Sequence, residues 1–225
     1  MAAGPVEDHR FTGYRRRLIE EVRNRGIQDL EILQLFDLTP RHHFLPEGVW
    51  NRAYEDSPLP IGYQQTASQP SLQALYLTIL KPQSHERVLE IGTGSGFLTA
   101  LLARMADRVY SVERIRELST RARKALDGLG FLNVALLVGD GTIGWRKYAP
   151  YDVIVVSAAS PSIPKAYLEQ LADPGRMLIP IGTLDAQDLV LVKKEGGEIT
   201  DEAVQAGCTF VPLLGRFAWK DEVSG

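Results

Sequence analysis

The middle of the chain carries the sequence Val88-Leu89-Glu90-Ile91-Gly92-Thr93-Gly94-Ser95-Gly96-Phe97. It predicts a buried strand that ends in a glycine-rich turn. A helix is expected to begin near Phe97, because the apolar residues beyond it recur at helical spacing. A strand, a glycine turn and a helix in this order open a doubly wound sheet, whose ligands bind at the carboxyl ends of the strands. Glycine suits such a turn since it tolerates positive φ and lets a ligand lie on the backbone.

The spacing of the three glycines indicates which ligand the turn suits. The dinucleotide-binding fingerprint is G-x-G-x-x-G, in which the third glycine allows close helix packing beneath a pyrophosphate. Here the pattern is G-x-G-x-G, and Phe97 occupies the place of that third glycine, which disfavours a dinucleotide. The tighter pattern resembles the first motif of S-adenosylmethionine (SAM) methyltransferases. A strand-to-helix turn without a ligand is the alternative.

Length and composition are those of an ordinary globular protein. The 225 residues, 44% hydrophobic and 24% charged, suffice for one domain or for one domain with an appended piece. The net charge of −3 disfavours a nucleic-acid partner, because such proteins usually carry a basic face. A single cysteine, Cys208, excludes an internal disulfide and is expected to be a small buried hydrophobe in a late strand. No signal-peptide core or membrane-length apolar run is present, so a cytoplasmic protein that binds no membrane is expected.

The first part of the chain predicts helices and one irregular segment. Helical periodicity covers 14–25 and 28–38, which predicts a helical cap preceding the sheet. Residues 39–70 carry repeated prolines and no sustained period, and their aromatic and apolar side chains predict an ordered, packed loop. A further helix is expected from Pro70, since proline is favoured in a first turn, and Lys81-Pro82 ends it.

Strands and helices alternate after residue 86, which predicts an α/β fold with a mostly parallel sheet. The expected strands lie at 87–91, 108–112, 133–138, 152–157 and 176–181. The helices between them are expected at 97–106, 114–127 and 163–172. Two later strands, at 187–194 and roughly 207–213, follow turn signals and predict antiparallel strands at the sheet edge.

Two acidic residues follow predicted strands at the edge where a ligand would bind. Glu113 ends the second strand, where its carboxylate can accept both ribose hydroxyls of an adenosine. The alternative is an acid that the helix dipole favours at a helix start. Asp140, between Gly139 and Gly141, ends the third strand and could accept from the adenine amino group. Its alternative is a turn residue, because Asp-Gly is a common turn pair.

The segment 59–70 groups amides and hydroxyls beside a helix start. Backbone N–H groups, hydroxyls and the positive end of a helix dipole together suit a carboxylate. The alternative, equally weighted on physical grounds, is that Ser68 or Gln69 caps the helix. The adjacent His42 and His43 have no Cys or acidic partners at ligand spacing, so packing and hydrogen bonding are expected of them, and no metal site.

With these motifs in place, the chain from about 27 to 219 resembles the protein-L-isoaspartate (D-aspartate) O-methyltransferases, which are SAM-dependent repair enzymes. The segment 59–70 precedes the glycine motif in the order that this family requires. The other matching segments are Pro40-Arg41 to Phe44, Ala53-Tyr54, Tyr110 to Ile115, Gly139-Asp140-Gly141, Gly144-Trp145, Ala149 to Asp152 and Phe210 to Leu213.

The resemblance implies a Rossmann-like SAM-dependent methyltransferase (class I) with an N-terminal helical cap and antiparallel edge strands. One domain over 1–225 is expected, with the cap and substrate loop in 1–82 and the SAM-binding core in 83–225. Ser68 is implied as the active-site residue, and Gln65, Thr66, Ser68 and Val211 as substrate contacts. The implied contacts to SAM, and to its product S-adenosyl-L-homocysteine, are Glu90, Gly92, Thr93, Gly94, Ser95, Gly96, Glu113, Asp140 and Gly141.

The implied activity is methylation of the free carboxylate of L-isoaspartyl residues in damaged proteins and peptides, which starts repair through a succinimide. D-aspartyl residues are a further candidate substrate, and a monomer is expected. Gln64 and Ala67 stand where bacterial members commonly have Gly and Ile. The alternatives are a carboxyl methyltransferase of the same fold with a dedicated peptide substrate, a SAM-binding protein without repair activity and, more distantly, an NAD-dependent oxidoreductase.

Overall fold

The computed structural model describes residues 9–220. Two helices lead the chain, α1 (Thr12–Asn24) and α2 (Leu30–Leu38), and α2 begins where the Asp29 carboxylate accepts the Glu31 N–H at 3.0 Å. Their buried residues join one apolar core with the sheet and with α3 (Pro70–Leu80). The predicted helical cap is therefore confirmed. Within 9–220, no helix is long and apolar enough to cross a bilayer.

A seven-stranded sheet forms the centre of the molecule. Five parallel strands are β3 (Arg87–Ile91), β4 (Arg108–Glu113), β5 (Val134–Val138), β6 (Tyr151–Val156) and β7 (Leu171–Gly182). The helices that connect them are α4 (Phe97–Met105), α5 (Arg116–Gly128) and α6 (Lys165–Gln170). The spatial order β5-β4-β3-β6-β7 reverses direction at β3. The glycine turn after β3 therefore lies at the topological switch point, where such sheets bind ligands.

The last two strands run antiparallel at one edge of the sheet, as predicted, but one of them lies elsewhere. Strand β8 (Gln187–Glu195) pairs with β7, and β9 (Glu198–Cys208) pairs with β8. The expectation of a strand at 207–213 was wrong. Gly196 and Gly197 both have positive φ and return the chain at once, so β9 begins at Glu198, nine residues before the predicted start, and its exposed, polar side chains gave no strand pattern.

Cys208 ends β9 and is half-exposed. The expectation of a buried hydrophobe in a late strand is thus met only in part. Cys208 packs partly buried against the core, because β9 is an edge strand whose side chains face solvent along most of its length. Residues 209–213 instead cross the carboxyl ends of the parallel strands, where Ala159 and Pro212 form a bridge.

The segment 59–67 is not irregular, as the sequence suggested, but forms a hairpin of β1 (Leu59–Gly62) and β2 (Gln65–Ala67). Tyr63 and Gln64 form its two-residue turn with φ of 55° and 57°. Positive φ at both positions is the twist that short hairpins need. Few residues other than Gly, Asn and Asp adopt it readily, which is why no turn signal was visible.

Replacing Gln64 with glycine is expected to stabilise the protein by about 1 kcal/mol, because a non-glycine residue in this conformation costs roughly that much. The exposed Gln64 side chain gives up no hydrogen bond that could offset the gain. Thermal unfolding should show a midpoint about 2–4 °C higher.

The matched control for Gln64→Gly is Gly196→Ala, at the first position of the corresponding turn between β8 and β9. Gly196 has φ of 61° and no atom within 4 Å of an added Cβ, so only backbone strain opposes the alanine. This variant should unfold at a lower temperature. Equal midpoints for Gln64→Gly and the parent would contradict the assignment of strain to the hairpin turn.

Candidate functional site

A cavity opens at the carboxyl ends of β3, β4 and β6, between the glycine turn, the β1–β2 hairpin and the segment 211–214. The parallel strands and α3 form its floor, and the hairpin and the C-terminal segment flank it. Its lining residues are Gln65, Thr66, Ala67, Ser68, Gln73, Ile91, Gly92, Thr93, Gly94, Ser95, Leu98, Val112, Glu113, Arg114, Leu118, Gly141, Ser157, Ala158 and Val211 to Leu214. The predicted carboxylate loop and the predicted cofactor turn thus share one cavity.

The glycine turn has the backbone that its sequence predicted. Gly92, Gly94 and Gly96 have φ of 92°, 54° and 87°. A Cβ on Gly96 would lie 2.9 Å from the Ala122 Cβ on α5, so the third glycine allows α4 and α5 to pack closely. Gly96 therefore stands behind the cavity wall, whereas Gly92 and Gly94 form part of it.

Glu113 ends β4 with its carboxylate fixed at both oxygens. Oε2 accepts the Gly94 N–H at 2.9 Å, and Oε1 accepts the Ile115 N–H at 2.9 Å, just before α5. The alternative role of Glu113, an acid at a helix start, is thus present in its bond to Ile115. The same carboxylate also binds the glycine turn through Gly94. Because an ionised carboxylate offers about four acceptor sites, each oxygen retains a lone pair for a further donor.

Glu90 lies beneath the glycine turn and does not line the cavity. Its side chain is fully buried, and Oε2 accepts the hydroxyls of Thr99 at 2.5 Å and Ser111 at 2.6 Å. Ser111 in turn lies 2.5 Å from the Thr93 hydroxyl, which belongs to a residue of the cavity wall. Burial raises the pKa of Glu90 to about 7, against the lowering effect of the two hydroxyl bonds. Glu90 therefore supports the turn from below.

Asp140 also stands behind the cavity wall, although Gly141 lines it. Its Oδ1 accepts the Thr142 N–H at 2.8 Å, and Oδ2 accepts the Arg216 N–H at 2.9 Å. Partial burial raises the pKa of Asp140. Hydrogen bonds from Thr142 and Arg216 outweigh this effect and hold the pKa below its usual range. Asp140 therefore acts as a turn residue, which was the alternative to adenine binding. Its carboxylate also holds the C-terminal segment beside the cavity through Arg216.

The N-terminus of α3 is capped by Asp56, which lies before the segment 59–70. The Asp56 carboxylate accepts the Ser71 N–H at 2.8 Å and the Gln69 side-chain amide at 3.2 Å. Neither Ser68 nor Gln69 caps the helix with its side chain. Gln69 occupies the N-cap position, so the capping alternative holds for its place in the chain and not for a side-chain bond, whereas Ser68 lines the cavity.

Gln73 is a cavity residue that the sequence analysis missed. It is 6% exposed, and its Oε1 is buried without a hydrogen-bond partner, although a buried acceptor ordinarily has one. A signal was present, because Gln73 shares its helix face with the buried Leu77 and Leu80. A polar residue on an apolar stripe marks a site where a ligand could complete the hydrogen bond.

His42 contributes to packing, as expected, whereas His43 is exposed, with its ring centroid 4.4 Å from that of His42. His42 is buried, and its Nδ1 lies 2.8 Å from the Tyr54 hydroxyl. Its ring stacks on Phe11 with centroids 4.2 Å apart. In the described part of the chain no group of three or more His, Cys, Asp or Glu residues is placed to hold a metal ion.

Comparison with known proteins places this geometry in a family. The model of the family "Protein-L-isoaspartate(D-aspartate) O-methyltransferase (PCMT)" matches residues 14–218. The chain belongs to this family. It is 48% identical over 210 residues to a protein-L-isoaspartate O-methyltransferase of Geobacter metallireducens, covering 92% of this chain and 97% of that one. A relative named protein-L-isoaspartate O-methyltransferase 2, from Geotalea uraniireducens, is 49% identical over 92% of this chain and 96% of its own length.

Solved structures agree with the family on the fold. A protein-L-isoaspartate O-methyltransferase superposes with a TM-score of 0.82 at 30% identity, covering 91% of this chain and 67% of that chain. A Plasmodium falciparum protein described as a putative member, solved in complex with S-adenosyl-L-homocysteine, gives a TM-score of 0.79 at 24% identity over 89% of this chain and 98% of its own. The predicted class I methyltransferase fold and the family resemblance are both confirmed.

Proposed function

We propose that this protein methylates the free carboxylate of L-isoaspartyl residues in damaged proteins and peptides, with SAM as the methyl donor. The observation that carries the proposal is one cavity lined by the glycine turn and Glu113 on one side and by Thr66 and Ser68 on the other. The cofactor and a substrate carboxylate can therefore meet within it. The product of this transfer is a methyl ester of the isoaspartyl residue. It is expected to close to a succinimide, which hydrolyses in part to normal aspartate.

The residues of the cavity fit the proposed cofactor. Glu113 retains acceptor capacity for ribose hydroxyls, and the buried, unpartnered Oε1 of Gln73 suits an N–H donor such as an ammonium group. Gly92 and Gly94 bring bare backbone to the wall. Bound SAM would supply an activated methyl group on a sulfonium.

The chemistry that remains for the protein is positioning. A free carboxylate titrates near ~3.5 and is ionised at neutral pH, so it is already a nucleophile and needs no general base. Holding it in line with the methyl group can supply up to roughly 7–11 kcal/mol of the barrier. Strong hydrogen bonds would lower the nucleophilicity of the carboxylate, because its charge falls in the transition state and the bonds would stabilise the ground state more. Half-buried Ser68, as an orienting donor with Gln65 and Thr66 beside it, suits this need.

The first test is methyl transfer from labelled SAM to two short peptides that differ only in aspartate or isoaspartate. Base-labile label on the isoaspartyl peptide alone supports the proposal. Label on neither peptide, while SAM still binds, would favour a dedicated substrate or a lost activity. A third peptide with D-aspartate tests the further candidate substrate.

Replacing Ser68 with alanine is expected to lower turnover on the isoaspartyl peptide by about 10- to 100-fold, because the substrate carboxylate loses the donor that orients it and a misplacement of about 1 Å can cost a factor of 10² in rate. SAM affinity should stay nearly intact, because the proposed partner of Ser68 is the substrate. Steady-state kinetics and calorimetry measure the two effects. Ser57→Ala, in the same loop but outside the cavity, is the matched control. Full activity of Ser68→Ala would remove Ser68 from the mechanism.

The remaining proposals concern the protein's setting. The chain is proposed to act as one methyltransferase unit over 1–225, as a monomer in the cytoplasm, on protein and peptide substrates without nucleic acid or membrane. The net charge of −3 supports the absence of a nucleic-acid partner. Light scattering during size-exclusion chromatography tests the monomer.

A further inference from the structure

Arg41 is a buried cation beside the proposed substrate loop, and no step of the proposed mechanism uses it. Its side chain is fully buried. Nη1 donates to the carbonyl oxygens of Ala53 at 2.8 Å and Glu55 at 3.2 Å, and Nη2 donates to the carbonyl oxygen of Ser68 at 3.1 Å. One guanidinium therefore joins two separate parts of the loop 53–68.

The Ser68 contact matters because Ser68 lies between two elements and belongs to neither. Strand β2 ends at Ala67, and α3 begins at Pro70. Ladder bonds to β1 fix the backbone before Ser68, and Asp56 fixes the first turn of α3 after it. The bond from Arg41 holds the carbonyl between them, and with it the peptide plane that follows Ser68. The direction of the Ser68 side chain depends on that plane.

Packing stability alone does not account for a guanidinium in this place. A buried ionic group is often no more stabilising than a well-packed apolar side chain of similar volume. Burial lowers the pKa of Arg41 to about 10, with Asp56 acting in the opposite direction. Its Nε is buried without a hydrogen-bond partner, which is a further energetic cost of placing a guanidinium here. What the planar fork provides is simultaneous contact with carbonyls on either side of it.

We propose that Arg41 is a positioning residue for methyl transfer: its buried guanidinium holds the Ser68 carbonyl and thereby sets the direction in which the Ser68 hydroxyl faces the cavity. This inference rests on the proposed function of that cavity. Because a misplacement of about 1 Å can cost a factor of 10² in rate, the effect should fall on turnover. SAM affinity should not change, since Arg41 does not line the cavity.

The test is a double-mutant cycle between Arg41→Met and Ser68→Ala. Arg41→Met is expected to lower kcat on the isoaspartyl peptide by roughly 10- to 100-fold with SAM affinity retained. If Arg41 acts through Ser68, the double variant should be no slower than Ser68→Ala alone, because effects on one shared interaction do not add. Effects that multiply, or an unchanged kcat in Arg41→Met, would overturn the inference.

Arg41→Lys keeps the charge but presents one nitrogen in place of a fork, and it replaces Arg41→Met in the cycle if the latter does not fold. It should recover kcat only in part. Phe36→Leu is the control for loss of stability, because Phe36 packs in the same core, with its ring centroid 5.8 Å from that of Phe97, and does not line the cavity. It should lower the unfolding temperature and leave kcat unchanged.

Failure of the proposed function gives a different result. A parent enzyme that methylates no isoaspartyl peptide would reject that function, and crystal structures of the parent and the Arg41 variant would then decide the inference. A Ser68 hydroxyl displaced by about 1 Å or turned to another rotamer supports it. An unmoved Ser68 hydroxyl would overturn it.

Discussion

Replacing Glu113 with alanine is expected to weaken SAM binding by about 100-fold or more. The carboxylate is proposed to accept ribose hydroxyls, and it already accepts the Gly94 N–H and the Ile115 N–H. Hydrogen bonds to a charged group contribute ~1.5–3 kcal/mol each, and two of them correspond to at least about a hundredfold in affinity. Loss of the Gly94 contact also frees the glycine turn. Titration calorimetry with SAM measures the change.

The control for Glu113→Ala is Glu117→Ala, which removes the same charge from the exposed first turn of α5. Its SAM affinity should match that of the parent. Glu113→Gln keeps the shape of the side chain but places an amide donor against one backbone N–H. Its SAM affinity should therefore lie between those of Glu113→Ala and Glu117→Ala. An unchanged affinity in Glu113→Ala, in a variant that is folded by circular dichroism, would count against the ribose assignment.

Replacing Glu90 with glutamine is expected to stabilise the protein at pH 8 by up to ~3 kcal/mol. Burial raises the pKa of Glu90 to about 7 in the folded protein, whereas an unfolded chain ionises this group near ~4.3. Between these values the folded state holds more protons, so the parent loses stability as the pH rises from about 4.3 to 7. Glutamine resembles the protonated acid and avoids that loss.

Denaturant titrations of the parent and of Glu90→Gln at several pH values measure this difference. The difference should be largest at pH 8, shrink as the pH falls from about 7 to 4.3, and reach its minimum below about pH 4, where the acid is protonated in both states. Glu86→Gln is the control of opposite sign. Burial raises the pKa of Glu86, but hydrogen bonds from Arg176 and from the Gln83 N–H outweigh it and hold the pKa below its usual range. The Glu86→Gln variant should therefore lose stability at pH 8. Equal stabilities of Glu90→Gln and the parent at pH 8 would contradict a buried charge at Glu90.

Much of the architecture could be predicted from local sequence. The apolar run before Gly92, the helical spacing after Phe97 and the Pro70 helix start each depend on a few neighbouring residues, and each element is found where expected. The small residues Ser157 and Ala158 follow β6 directly and line the cavity. Parallel strands bring their carboxyl ends to one edge, so Glu113 and the glycine turn meet without any further information.

Other features depend on residues far apart in the chain, and local patterns did not reveal them. Asp140 stands at the predicted edge, but its oxygens are taken by Thr142 and by Arg216, 76 positions later. The hairpin turn at Tyr63 and Gln64 adopts a conformation that its residue types do not favour, and Arg121 of α5 contacts the Ile61 carbonyl across 60 positions.

The sequence by itself determined the parallel sheet, the glycine turn and the start of α3, because each depends on short-range patterns of hydrophobicity and turn chemistry. The family followed from the resemblance of motifs spread over most of the chain. Only the tertiary structure decided which polar groups reach the cavity: Gln73 lines it, Glu90 and Asp140 stand behind its wall, and Arg41 holds the Ser68 carbonyl. The physical reason is that a buried polar group must find its hydrogen-bond partner wherever the fold supplies one. That partner is set by packing between distant segments, which sequence periodicity does not encode.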